Sequence, residues 1–193
     1  MGGDFYPISN KRKCPTEKAG HSIREEYQFY FKSTKSNLRY CIEAVYHAED
    51  FFAIKYYCKN HKVSKNRYSL ATNTHEPYKI LRTCIQVIPL LQRTHPNASF
   101  VAVGSRSISA NRIEPAEATV RFRLYYNLVF QYFSVYDHFF ITQIPDISGI
   151  GLLYIKDIVD APPHFSNNKV LIKRIQEIKA VVLECYDDIH IPD

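Results

Sequence analysis

The chain has 193 residues, 46% hydrophobic and 14% aromatic, with 25 Lys and Arg against 19 Asp and Glu for a formal net charge of +6. That length fits one domain with room for a small appendage, and the apolar content excludes disorder over most of it. No stretch approaches the roughly 18 apolar residues of a membrane-spanning helix, and the amino terminus has no apolar leader-like run, so a cytoplasmic protein with no membrane partner is expected.

The charge permits contact with a polyanion and equally serves solubility. With no Trp, 15 Tyr and 12 Phe, the core must be built on phenyl rings, many carrying a hydroxyl that needs a partner when buried. The five Cys, at 14, 41, 58, 84 and 185, are odd in number and form no CxxC pair, so neither a zinc knuckle nor a redox dithiol is suggested. Cys41, Cys58 and Cys84 sit inside apolar patterns and read as small core residues.

Residues 1–20 are polar, with Pro7, Pro15 and the run Lys11-Arg12-Lys13, and read as a flexible basic arm. A domain over 21–160 follows. Tyr27, Phe29 and Phe31 alternate with Gln28, Tyr30 and Lys32, the period of a half-buried strand. Residues 38–48 alternate again, and 51–59 make a third strand after the tight connection Glu49-Asp50. The polar loop beyond carries Lys59, Lys62, Lys65 and Arg67, four cations that could meet phosphates. Residues 68–72 are expected to form a fourth strand.

Asn73-Thr74-His75-Glu76-Pro77 is a helix start, with Asn73 or Thr74 as the cap and Pro77 in the first turn. Ile80, Leu81, Cys84, Ile85, Ile88 and Leu91 follow at the helical period, and Pro89 predicts a kink or an early end. The apolar run Phe100-Val101-Ala102-Val103 stops at Gly104 and reads as a buried strand. After a polar loop comes a dense aromatic helix over 119–133, apolar on more than half its circumference and so expected to be covered on two sides. Strands are expected at 136–144 and 150–155. Beyond Pro162-Pro163, an appendage over 161–193 should hold an amphipathic helix, capped by Asn167 or Asn168, with Leu171, Ile175, Ile178, Val182 and Cys185 on one stripe. That stripe either docks on the domain or pairs two copies as a homodimer. The fold class is therefore α+β, a mainly antiparallel mixed sheet with two crossover helices and a C-terminal amphipathic helix.

Arg106, Arg112, Arg121 and Arg123 surround the loop that feeds the aromatic helix. Arg121 and Arg123 stand two apart and point about 200° from each other, so they cannot form one fork. One of them could join Arg106 at the carboxyl end of the central strand, where ligands sit in crossover folds. Glu43 and Glu49 are possible bases for acyl transfer, with no partner nameable from sequence. His75, His95, His138 and His164 show no metal-ligand spacing, and no metal is expected.

The element order resembles that of the GNAT acetyltransferase superfamily over about residues 27–155. In that family an aromatic helix carries a motif of the type Leu-Tyr-x-x-x-Gly-Phe, and Leu124-Tyr125-Tyr126-Asn127-Leu128-Val129-Phe130 is similar to it, with Val129 in place of Gly. The resemblance implies acetyl-CoA as cofactor and Tyr125 as the acid that protonates the departing thiolate. It also places the pyrophosphate near Asn73 and Thr74, where the family carries a glycine-rich loop and this chain has Thr72-Asn73-Thr74-His75-Glu76-Pro77. The combination of Tyr-Ser-Leu-Ala-Thr-Asn-Thr, Phe-Val-Ala-Val-Gly and Arg-Phe-Arg-Leu-Tyr also looks like a small bacterial family of unassigned function.

Two readings follow. One is a non-catalytic module without cofactor that contacts nucleic acid, a nucleotide or an acidic protein. The other is a divergent acyltransferase.

Overall fold

The computed structural model describes residues 5–14, 22–109, 112–114, 119–133, 139–144, 148–154 and 169–186. These form an α+β fold around one seven-stranded sheet. The strands are β1 (Ser9–Cys14), β2 (Ile23–Lys32), β3 (Arg39–His47), β4 (Phe51–Cys58), β5 (Ser99–Val103), β8 (Phe139–Ile144) and β9 (Gly149–Tyr154). Their order is β1-β2-β3-β4-β5-β9-β8, and β4 with β5 is the parallel pair among antiparallel neighbours. A separate small hairpin, β6 (Ile108–Ser109) with β7 (Arg112–Ile113), lies inside the loop expected to be irregular.

The parallel junction needs a crossover, which α1 (Pro77–Ile85) and α2 (Val87–Gln92) supply. They were expected as one helix with a kink or an early end at Pro89. The break falls at Gln86, because Pro89 has no N–H to give the carbonyl of Ile85. α3 (Val120–Tyr132) makes the second crossover, from β5 to β8.

Alternation along the strands builds two cores. Tyr27, Phe29, Phe31, Ile42, Phe52, Ile54 and Phe100 face α1, α2 and α3. Phe51, Ala53, Val101, Val103 and Leu153 face α4 (Lys169–Cys185), which packs through Leu171, Ile178 and Val182. The stripe on α4 is thus covered by the chain's own sheet, and the homodimer expectation loses that face. Asn167 and Asn168, Pro162 and Pro163, and the strand ends at 136–138 and 155 lie outside the described residues.

Two expectations are corrected. Residues 9–14 are not a loose arm; they are β1, hydrogen-bonded along β2, and Tyr6 ahead of them is 2% exposed and stacked on Phe31. Residues 68–72 are not a strand. They contain turns and one bridge residue, Leu70, because the carbonyls of Tyr68 and Leu70 accept from Arg121 instead of from a neighbouring strand.

Gly104 ends β5 because the start of α3 presses on it. A Cβ there would stand 2.7 Å from the backbone nitrogen of Phe122 and 2.7 Å from Thr119 Oγ1. Thr119 caps the helix through Phe122 N–H and donates its own hydroxyl to the Gly104 carbonyl at 2.9 Å. Gly104→Ala should therefore cost about 2 kcal/mol by overpacking against backbone, read as a lower midpoint in urea. An unchanged midpoint would show that α3 can shift away freely.

Candidate functional site

The cations that the sequence groups together are held apart. Arg106 donates through Nε to the Glu114 carbonyl at 2.6 Å. Arg121 bonds the carbonyls of Tyr68 and Leu70, the second at 3.3 Å, with its guanidinium 5.5 Å from the Tyr56 ring. Arg123, two residues further along α3, is exposed, and the Arg112 side chain lies outside the described residues. Arg106 and Arg121 thus bond carbonyls of different chain segments instead of sharing one fork.

Both crossover helices begin with a carboxylate at the amino end. For α3 it is Glu114, whose Oε1 accepts from Val120 N–H at 2.5 Å and whose Oε2 accepts from Ser107 N–H at 3.0 Å. For α1 it is Glu76, which takes the cap position expected for Asn73 or Thr74 without making a side-chain cap bond. Its oxygens instead accept from the hydroxyls of Tyr6 (2.5 Å), Ser33 (2.6 Å) and Ser36 (2.9 Å). Burial alone would raise this carboxyl, but those three donors outweigh it and hold its pKa below the usual value. Asn73 and His75 turn through left-handed backbone beside it, with φ of 50° and 54°. A negative charge thus stands where an incoming pyrophosphate would need positive potential.

Tyr125 is buried and lines an apolar cavity of about 20 Å³ with Ile54, Cys84, Ala102 and Val129. Burial pushes its phenol well up, with Cys84 and Tyr56 adding and Arg121 opposing. Ile54 and Ala102 are also the last register partners between β4 and β5. A phenol so raised is a weak acid, and the space is that of about one small molecule of water.

The basic loop is a composite that sequence could not separate. Lys59, Lys62 and Lys65 are exposed, and Val63 between them is 97% exposed. Arg67 turns inward. Its Nη2 donates to the Tyr68 hydroxyl at 2.7 Å and lies 3.7 Å from Glu43 Oε2. The Tyr68 hydroxyl donates to that same oxygen, and Gln28 Nε2 reaches Glu43 Oε1 at 3.4 Å. Lys55, register partner of Glu43, lies 4.0 Å over the Tyr68 ring and 4.3 Å over that of Tyr186 from α4. Glu43 is 6% exposed with both oxygens engaged, so it anchors the loop to the sheet rather than standing free as a base. Burial pushes the neighbouring Cys41 thiol up to about 11, which keeps it protonated and inert.

A cleft of about 180 Å³ beside α4 holds Lys173 and Arg174, but Glu177 lies 3.7 and 3.8 Å from them and Arg174 also donates to the Asp50 carbonyl. Among the described residues no three His, Cys, Asp or Glu side chains converge as a metal site requires, and no helix is long and apolar enough to cross a membrane. His138, His164, Asp187, Asp188 and His190 lie outside the described residues.

No protein-family model, curated protein or solved structure matches this chain.

Proposed function

We propose that this protein is a non-catalytic binding module for an anionic partner, which it meets through the loop at 59–67. The observation that carries this reading is the division of labour within the loop. Arg67 and Tyr68 clamp its base to buried Glu43, so Lys59, Lys62 and Lys65 are presented on a braced turn rather than on a free tail. Bracing lowers the entropy lost on binding. The carboxylate of Glu76 at the start of α1 supports the non-catalytic side, since it opposes a nucleotide cofactor there.

The measurement is a binding titration of labelled inorganic polyphosphate at several salt concentrations. Lys59→Gln, Lys62→Gln and Lys65→Gln together should weaken binding and flatten the salt slope by about 0.7 for each lost contact. Arg67 is left in place because it holds the fold. Equal affinity and slope in the triple variant would remove the reading.

A second reading, the GNAT-like acyltransferase with acetyl-CoA, is favoured by one observation. Tyr125 lines a cavity together with Ile54 of β4 and Ala102 of β5, the last paired residues of the parallel strands. On that reading Tyr125→Phe costs roughly 10²–10⁴ in turnover and abolishes protection by acetyl-CoA. On the binding-module reading, which we hold, acetyl-CoA leaves the melting temperature of both proteins unchanged. Protection of the wild type would reverse the choice.

A further inference from the structure

The α4 side of the sheet is covered unevenly. α4 packs over β4, β5 and β9, and the loop at 59–67 leans on Tyr57 through Arg67, 5.1 Å from the ring. Among the described residues, the outer strands keep exposed side chains on this side. Pairing sets Arg12 beside Gln28, Tyr30 beside Cys41, and Lys32 beside Arg39, all on this side. Arg12, Lys32 and Arg39 are exposed, and Tyr30 is half-buried. Lys59 reaches across from the loop to 4.9 Å above the Tyr30 ring, and the Tyr30 hydroxyl donates to Gln28 Oε1 at 2.6 Å.

Two carboxylates share this side of the sheet. Glu43 is engaged by Tyr68 and Arg67, and Glu26 takes a donor from Gln28 at 3.4 Å. Lys32 and Arg39 face each other across neighbouring strands, an arrangement that weakens a sheet by itself. A polyanion laid across the pair would remove that repulsion.

We propose that this surface binds single-stranded nucleic acid, with phosphates on Arg12, Lys32 and Arg39, and with one base stacked on Tyr30 in place of the Lys59 ammonium, which moves from the ring to a phosphate. The inference rests on the anion-binding reading above and gives it a partner class and a path. Tyr30 and Lys32 are two residues apart on β2, so ring and cation stand about 7 Å from each other along the strand. An unpaired nucleotide can offer a base and a phosphate to such a pair at once. In a duplex the base faces are already stacked, and an acidic protein has no use for the ring.

The test compares a labelled single-stranded oligonucleotide, its duplex and inorganic polyphosphate by fluorescence anisotropy. Arg12→Gln, Lys32→Gln and Arg39→Gln together, all at exposed positions, should weaken both single strand and polyphosphate and flatten the salt dependence. Tyr30→Leu should weaken the single strand about five- to a hundredfold and leave polyphosphate unaffected, while Tyr30→Phe keeps both. Melting curves of each variant confirm the fold. Duplex bound as tightly as single strand, or Tyr30→Leu without effect on the oligonucleotide, would overturn the proposal. A sheet-surface triple variant that binds like the wild type, while the loop variant loses affinity, would overturn it too and leave the loop reading standing. Absence of polyphosphate binding in the wild type would remove both.

Discussion

Replacing Glu43 by Leu should lower the melting temperature by roughly 6–12 °C. The carboxylate is buried on β3 and receives the Tyr68 hydroxyl and the Arg67 guanidinium, so its loss leaves two donors facing apolar surface. Breaking one half of such a buried pair costs about 3 kcal/mol, and a chain of this size loses about 2–4 °C per kcal/mol. Loop 59–67 should become the preferred cleavage point in limited proteolysis, because its tie to the sheet is gone. Glu43→Leu combined with Arg67→Leu should regain part of the stability, since the stranded cation is then removed as well. Unchanged melting and unchanged proteolysis in the single variant would mean that the carboxylate does not anchor the loop.

The second large effect is one of pH. His47 is fully buried at the end of β3, stacked on Phe51 at 4.5 Å, with Nδ1 2.6 Å from Ser22 Oγ and Nε2 2.7 Å from the hydroxyl of Tyr186 on α4. Burial lowers its pKa from 6.5 to about 4. Between those values the unfolded chain carries a proton that the folded one does not, so stability falls as pH falls from 6.5 to 4. The loss approaches about 3 kcal/mol at the acid end. Glu25 adds a lower window. Burial alone would raise its carboxyl, but Lys13, Tyr27 and His95 bring it from 4.5 down to about 2, so its contribution is complete above pH 4.5 and lost toward pH 2. Urea titrations across pH should therefore show a slope between 6.5 and 4 that His47→Phe removes while the acid limb near Glu25 remains. A slope unchanged in that variant would assign the titration to another group.

Much of the frame is written locally. Alternation in Tyr27, Phe29 and Phe31 marks β2 because side chains on a strand take opposite faces, and the run Phe100–Val103 marks β5 because both of its faces are covered. Pro77 and Pro89 fix the start of α1 and its break through a missing N–H, a property of one residue. The stripe on α4 records the face that meets the sheet. What the chain could not reveal locally depends on distant partners. β1 has no apolar alternation, since an edge strand is held by backbone bonds to β2 and its side chains need not be buried. Tyr68 and Leu70 have the composition of a strand, yet Arg121, more than fifty residues on, takes their carbonyls. Lys59, Lys62, Lys65 and Arg67 are alike as sequence. The position of Glu43 beneath the loop makes Arg67 an anchor and leaves the other three at the surface, because a buried carboxylate draws in the cation that folding brings within reach.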